Sequence, residues 1–102
     1  MNPLEHLVED GDVILDFDRA TRDDLYDLYD LIWTRHQPDA NELGEIAGML
    51  LDGGVLAVIG GHTRGFGRHF REWGMAGDVA IGRSPLEPER DRINAERRRR
   101  RL

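Results

Sequence analysis

A run of five arginines near the end of the chain is the group of residues best suited to bind a charged partner. Its members are Arg97, Arg98, Arg99, Arg100 and Arg101. Guanidinium groups make forked contacts with phosphate and carboxylate, and runs of like charge commonly bind nucleic acid or an acidic surface. The run therefore predicts a site for nucleic acid or for an acidic protein, and the alternative is a solvated tail.

A glycine-rich segment, residues 60–67, is the second candidate site. It lies between a predicted strand and a predicted short helix, which is the layout of a phosphate cradle. Phe66 and Gly67 stand where a P-loop has lysine and serine or threonine, and the third glycine of a dinucleotide-binding turn is absent. Three nearby arginines predict an anion site here: Arg64, Arg68 and Arg71. The alternative is a mobile surface loop, or one ordered by a neighbour.

The composition excludes much catalytic chemistry. All 14 basic residues are arginine, and the 102-residue chain has no cysteine. The chain therefore lacks a Schiff-base or Walker A lysine, a thiolate nucleophile, disulfides and iron–sulfur ligands. The single serine, Ser84, precedes a proline in a predicted linker without a nucleophile elbow. We therefore expect no catalytic residue and no cofactor.

The acidic segment Asp16-Phe17-Asp18 follows an apolar run and is similar to the paired aspartates of haloacid-dehalogenase-type phosphatases. The chain does not fit that family, because Ala20 stands where Thr or Val is needed and the chain is short and lacks the lysine. A calcium loop does not fit either, since Thr21 replaces its central glycine and Asp27 its final glutamate.

Histidines offer a loose set of metal ligands and acid–base groups. His69 and Glu72 lie three residues apart on a predicted short helix, and His62 precedes them. No tightly spaced His-x3-His pair is present, so we predict no metal ion. A small catalytic or ligand-binding site at the glycine segment would have four acid–base groups: Tyr26, Tyr29, His62 and His69.

Periodic apolar residues predict two helices in the middle of the chain. The first begins at a capping box formed by Thr21 and Asp24, and its apolar stripe is Leu25, Leu28, Tyr29, Ile32 and Trp33. The second is capped by Asp39 or Asn41 and ends at Gly53-Gly54. The stripe of the second helix is Leu43, Ile46, Ala47, Leu50 and Leu51.

Three strands and a short third helix complete the predicted domain. Residues 13–17 and 79–81 predict short strands, and the apolar run over 55–59 predicts a buried one. The alternative for 55–59 is that the second helix continues through the glycines. A third helix ending at Gly74 is predicted from the i, i+4, i+7 spacing of Phe66, Phe70 and Trp73.

These elements predict a small α+β domain over residues 1–83, in which two or three helices pack on a sheet of two or three strands. An all-α domain is the alternative. Residues 84–102 are predicted to form a proline-containing linker and an arginine-rich helix, with an apolar side made only of Ile93 and Leu102. So polar a helix needs a partner to be stable.

Charge is distributed unevenly along the chain. The formal net charge is −6, but residues 1–54 carry −11 and residues 55–102 carry +5. An asymmetry of this kind indicates a charged partner, or pairing of one half with the other.

The sequence therefore favours a non-enzymatic structural, assembly or adaptor subunit of a larger particle, such as a viral one. The acidic body of one copy would contact the basic half of another or a different subunit, giving a homo- or hetero-oligomer. The alternatives are a small nucleic-acid-binding regulator and a small anion- or nucleotide-binding domain at residues 60–67. Without a long apolar stretch or a leader segment, we expect no membrane partner and a location in the cytoplasm or in a particle assembled inside the cell.

Overall fold

A computed structural model describes residues 11–84, which form a five-stranded mixed sheet and a single α-helix. The strands are β1 (Ile14–Asp16), β2 (Tyr29–Thr34), β3 (Leu50–Ile59), β4 (Glu72–Ala76) and β5 (Val79–Arg83), and the helix α1 is Ala40–Met49. Three short 3-10 helices occupy Phe17–Arg19, Asp23–Tyr26 and Phe66–Arg68. The strand order is β1-β2-β3-β5-β4, with β1, β2 and β3 parallel and with β5 antiparallel to both β3 and β4. Strands β1 and β4 are therefore the two edges of the sheet.

Strand β3 lies in the centre of the sheet because its side chains are apolar on both faces. Leu56 and Val58 are buried on the face that packs against α1, and Val55 and Ala57 are buried on the other face. A continuous apolar run of this kind is typical of an inner strand with both faces covered. The strand predicted over 55–59 is thus confirmed, and the continued-helix alternative is wrong.

Two glycines allow β3 to begin earlier than the sequence suggested. Gly53 has a φ of +76°, which side chains rarely adopt. A Cβ atom on Gly54 would lie 2.7 Å from the carbonyl oxygen of Leu51 and 3.2 Å from that of Asp30. Glycine at these positions therefore lets the chain bend and approach β2 closely.

Helix α1 connects the parallel strands β2 and β3, and its start is capped as predicted. The Asp39 side chain accepts a hydrogen bond from the Glu42 N–H at 2.8 Å, and the Glu42 side chain accepts one from the Asp39 N–H at 3.2 Å. Three side chains of α1 are buried against the sheet: Leu43, Ile46 and Met49. The second predicted helix is thus confirmed, although it ends at Met49 because the following leucines begin β3.

The first predicted helix is wrong. Thr21 and Asp24 make the expected contact, an N–H to carboxylate hydrogen bond of 2.8 Å, but it starts only a single 3-10 turn. The second half of the predicted stripe is strand β2, where Leu31 and Ile32 are buried on opposite faces of the sheet. A surface helix would bury only one side of this segment. As strand β2, paired with β1 on one side and β3 on the other, the segment has both of its faces buried.

The third predicted helix is also wrong. The segment forms one 3-10 turn at Phe66–Arg68 and then strand β4. Phe66 and Phe70 are nevertheless both buried, with ring centroids 5.3 Å apart. They pack over Gly82 of β5, where a Cβ atom would lie 2.8 Å from the Phe70 ring and 3.0 Å from the Phe66 ring. The aromatic spacing therefore reflects packing on the sheet.

The predicted fold of two or three helices on a sheet of two or three strands is wrong, and so is the all-α alternative. The described residues form a sheet-dominated domain with five strands and one α-helix. Both errors have one cause, since two segments that pair with neighbouring strands were assigned to helices from local periodicity. No helix within residues 11–84 is long and apolar enough to cross a membrane.

We expect Gly82→Ala to lower the free energy of unfolding by about 1–3 kcal/mol, because the added methyl group overlaps both phenylalanine rings. The matched control is Gly48→Ala on α1, where a Cβ atom meets nothing within 4 Å. That change should stabilise the protein by about 0.5–1 kcal/mol through helix propensity. Urea denaturation measures both changes, and a Gly82→Ala variant as stable as the parent would contradict the packing described here.

Candidate functional site

Polar side chains gather where the parallel strands end, because the carboxyl ends of parallel strands lie at one edge of a sheet. Asp18 follows β1, Thr34 ends β2, and His36 follows β2. Glu42 lies in the first turn of α1. These four residues, Asp18, Thr34, His36 and Glu42, are joined by hydrogen bonds and are called the carboxylate–histidine cluster here.

Both carboxylate oxygens of Asp18 accept hydrogen bonds in the cluster. Its Oδ1 atom accepts a hydrogen bond from the Thr34 hydroxyl at 2.5 Å and lies 2.5 Å from His36 Nδ1. Its Oδ2 atom accepts a hydrogen bond from the Arg35 N–H at 2.8 Å. Thr34 is fully buried, so its hydroxyl needs such a partner. The carboxylate thereby fixes the end of β1 to the end of β2.

His36 extends the cluster to α1. Its Nδ1 atom faces Asp18, while its Nε2 atom lies 3.1 Å from Oε2 of Glu42. The other oxygen of Glu42, Oε1, accepts the hydrogen bond from Asp39 in the capping box. One glutamate therefore caps the helix and binds the imidazole at the same time. The Phe17 ring packs beside the imidazole, with centroids 5.9 Å apart.

The hydrogen bonds of the cluster favour the charged forms of its members. Partial burial works against ionisation of Asp18, but the hydrogen bonds from Thr34, Arg35 and His36 outweigh it and lower the pKa of that carboxyl. The hydrogen bond to Asp18 raises the pKa of His36; partial burial opposes this, and the hydrogen bond and charge of Glu42 add to it. The cluster thus favours an imidazolium between two carboxylates.

Both nitrogens of the His36 imidazole face side chains of the protein. A catalytic triad needs one imidazole nitrogen toward the nucleophile and the other toward a carboxylate. Here Glu42 takes the Nε2 side. Thr34 shares the Nδ1 side with Asp18, but it is fully buried and donates its hydroxyl to Asp18, so it is not placed to attack a substrate. Two carboxylates on opposite sides of the ring also cannot surround a single metal ion, and no three metal-ligating side chains converge within residues 11–84. The cluster ties β1, β2 and α1 together.

A second tie joins the end of β2 to the loop after β3. The Gln37 side chain accepts a hydrogen bond from the His62 N–H at 2.9 Å and donates one to the His62 carbonyl at 3.2 Å. Gly61 makes this approach possible, because a Cβ atom there would lie 2.5 Å from Gln37 Oε1 and 2.2 Å from a methyl group of Val58. The glycine-rich segment therefore starts in a fixed position beside β2.

The N–H groups of the glycine segment mostly bond to acceptors of the protein itself. The Arg64 N–H bonds to His62 Nδ1 at 3.3 Å, and the Phe66 N–H bonds to the Thr63 carbonyl at 3.1 Å. Further along, the N–H groups of Arg68, His69 and Phe70 bond to carbonyls of Gly65 and Phe66. A phosphate cradle needs such groups unoccupied, so the segment is a structured turn with its donors largely satisfied.

The three arginines predicted to hold an anion are exposed: Arg64, Arg68 and Arg71. The first lies in the glycine segment, the second ends the third 3-10 helix, and the third precedes β4. Their role in anion binding stays a prediction. The C-terminal run, Arg97 to Arg101, and the predicted linker and helix after Ser84 lie outside the described residues.

The histidines and tyrosines considered for metal binding or acid–base chemistry do not form one site. His62 bonds to Gln37, and a Cβ atom on Gly44 of α1 would lie 3.7 Å from His69 Cε1. Tyr29 is buried and donates its hydroxyl to the Asp24 carbonyl at 2.8 Å, whereas Tyr26 is 83% exposed. These groups therefore act in separate places.

The free edge of β4 is the most exposed apolar feature of the sheet. All five residues of β4 are exposed, including Trp73 at 50% and Met75 at 52%. A groove of about 280 Å³ runs beside this strand, lined in part by Gly74, Ile81 and Arg83. We call the outer side of Glu72–Ala76 the β4 edge. Its backbone groups have no neighbouring strand among residues 11–84.

Sequence reasoning found neither the carboxylate–histidine cluster nor the β4 edge. The cluster was hidden because β2 was assigned to a helix, so Thr34 and His36 were not recognised as lying at a strand end. The β4 edge had a usable signal, since Gly77-Asp78 is a two-residue hairpin turn and Gly77 has a φ of +63°.

No protein-family model matches the chain, and no curated protein and no solved structure is significantly similar to it. A function must therefore be argued from its own residues.

The two pKa shifts predict how stability depends on pH. The raised pKa of His36 gives stability that is fully present below about pH 6.5 and is lost as pH rises through the folded-state pKa. The lowered pKa of Asp18 gives stability that is present above about pH 4 and is lost as pH falls through the folded-state pKa. The cluster should therefore stabilise the fold most between about pH 4 and about pH 6.5.

We expect His36→Gln to cost about 0.5–1 kcal/mol at about pH 6, a value typical of a half-exposed ion pair. The difference from the parent protein should shrink as pH rises above about 6.5. Urea denaturation over a pH series measures the difference, and NMR titration of the imidazole measures the pKa directly. A pKa of His36 at or below about 6.5 would contradict the cluster's ionic character.

Proposed function

We propose that the protein is a non-enzymatic assembly or adaptor subunit that works through protein–protein contacts. The observation that carries the proposal is the β4 edge, which has no neighbouring strand on its outer side among residues 11–84 and on which Trp73 and Met75 are about half exposed. Natural proteins usually block free edges with charges, proline or a covering element, because unpaired backbone groups recruit other strands. An unblocked apolar edge is a feature of a protein that binds another chain.

The chemistry of the carboxylate–histidine cluster supports a non-enzymatic role. Its polar atoms are engaged with each other, and both nitrogens of His36 face carboxylates. The residues best able to do acid–base chemistry thus hold the fold together.

The charge distribution supports contacts between unlike surfaces. Four arginines in the second part of the domain are exposed, and none lies within 4 Å of a carboxylate of residues 11–84: Arg64, Arg68, Arg71 and Arg83. Exposed acids such as Asp23, Asp39 and Glu45 belong to the first part. Because the first half of the sequence is mainly acidic and the second half mainly basic, unlike charges of different copies or subunits can pair. Such contacts would be salt-sensitive.

Light scattering of the full chain across a salt series tests this proposal. We expect a mass above the chain mass of 11.7 kDa at about 0.1 M salt; charge contacts should be lost at about 1 M, whereas contacts through the β4 edge should persist. The Debye length shrinks over that range from about 10 Å to about 3 Å, which weakens charge contacts. A chain that runs at 11.7 kDa at every salt concentration, and also in extracts of its native source, would overturn the proposal.

A nucleic-acid-binding regulator is the second candidate, favoured by the exposed and internally unpaired arginines near the glycine segment. Binding of this kind should weaken steeply with salt because phosphate counterions are released. A gel-shift titration of a DNA duplex and an RNA strand is the measurement, and two glutamine variants locate the contact. One variant replaces Arg97 to Arg101, and the other replaces Arg64, Arg68 and Arg71. Absence of salt-dependent binding by the parent chain would exclude this candidate.

A further inference from the structure

The alternation of backbone hydrogen bonds across the sheet determines which N–H and C=O groups of the β4 edge point outward. On its inner side, β5 bonds to β3 in a register in which the Ser84 N–H reaches the Gly54 carbonyl at 2.9 Å. At the other end of the pair, the Gly60 N–H reaches the Asp78 carbonyl at 2.8 Å. Backbone groups alternate in direction along an antiparallel strand. The backbone N–H and C=O groups of even-numbered residues in β5 therefore point toward β3, and those of odd-numbered residues point toward β4.

The same alternation carries over to β4. In its register with β5, Gly74 lies opposite Ile81, an odd-numbered residue. The residues of β4 whose backbone groups face β5 are thus Glu72, Gly74 and Ala76. The N–H and C=O groups of Trp73 and Met75 consequently point away from the sheet. These two residues offer the hydrogen bonds that an added strand would take.

We propose that a second copy of this chain is that added strand, paired antiparallel to the first about a two-fold axis at Gly74. The inference rests on the proposed assembly function and names the partner. In this register Trp73 of each copy lies opposite Met75 of the other. Both are residues whose backbone groups point outward, so each pair exchanges two hydrogen bonds. The two five-stranded sheets join into one continuous sheet.

The side chains of this pairing are complementary. Trp73 lies on the α1 side of the sheet, since its partner in β5, Gly82, faces the aromatic core on that side. Its indole ring lies close to Gly67, where a Cβ atom would be 3.1 Å from Trp73 Cη2. The pairing sets the methionine sulfur beside the indole, a favourable contact. Glu72 falls opposite Ala76, so no like charges face each other.

The opposite edge of the sheet, strand β1, does not place complementary side chains opposite each other when paired with itself. Strand β1 has only three residues, and pairing it with itself about Leu15 would place Ile14 opposite Asp16. The β4 edge is longer, and its only charged residue, Glu72, lies at its start. It contains neither proline nor lysine, the residues that commonly protect free edges.

Disulfide trapping tests both the partner and the register, because the chain has no native cysteine. In the proposed pairing Gly74 faces Gly74 of the second copy in a non-hydrogen-bonded pair, about 4.5 Å apart between Cα atoms. That spacing permits a disulfide. Gly74→Cys has room for a side chain, since a Cβ atom there meets nothing within 4 Å. The matched control is Ala76→Cys, whose copies would lie about 14 Å apart.

On oxidation of the full-length chain, we expect Gly74→Cys to shift on a non-reducing gel from 11.7 kDa to twice that mass. Ala76→Cys should not cross-link and should remain at 11.7 kDa on the same gel. Light scattering gives an independent readout without cysteines: Met75→Pro removes an outward N–H and should abolish the pairing, whereas Met75→Leu should retain it. Circular dichroism of Met75→Pro should remain that of the parent, because the lost N–H makes no bond to β5.

The outcomes separate this inference from the proposed function. Equal cross-linking of both cysteine variants would overturn the register about Gly74. An oligomer in light scattering whose Gly74→Cys variant does not cross-link would overturn the edge pairing and leave the assembly function standing. A parent chain that stays monomeric at every salt concentration and in extracts of its native source would overturn both.

Discussion

Burial of strand β3 on both faces and along both sides is the constraint on which the rest of the structure depends. Leu56 and Val58 need a cover on one face, and Val55 and Ala57 need one on the other. A strand of this kind requires a neighbour on each side, and β2 and β5 supply them. Because β2 runs parallel to β3, the chain must cross the sheet between them, and α1 makes that crossing and covers the core.

The parallel direction of β1, β2 and β3 also determines where the polar residues meet. Carboxyl ends of parallel strands are the usual place for ligands in open sheets. In this chain the same place is occupied by Asp18, Thr34 and His36, which bond to one another. Glu42 then connects them to the helix that makes the crossing. The carboxyl ends of parallel strands commonly bind substrates. In this chain, the side chains at these ends connect β1, β2 and α1.

What could be predicted from the sequence depended on how local the determining interactions are. The start of α1 was predictable, because the Asp39 cap and its partner lie within one helical turn. The strand over 55–59 was predictable from its apolar run between glycines. Strand β2 was not, since its spacing satisfies a helical stripe and only the pairing on both sides selects the strand.

The β4 edge and the carboxylate–histidine cluster lay beyond local patterns for different reasons. Strand β4 is exposed at every position, so it has no alternation of buried and exposed residues to recognise. The carboxylate–histidine cluster joins Asp18 to residues that are 16 and 18 positions away in sequence. Such contacts follow from the order of strands in the sheet, which the sequence did not indicate.

The cluster also makes folding a proton-coupled reaction. The pKa of the His36 imidazole is higher in the folded chain, where it lies between two carboxylates, than in the unfolded chain. Just above the ordinary pKa of histidine, the folded chain therefore binds more protons than the unfolded chain. The stability of the contacts between β1, β2 and α1 therefore depends on pH. The enthalpy of unfolding measured by calorimetry includes the ionisation enthalpy of the buffer.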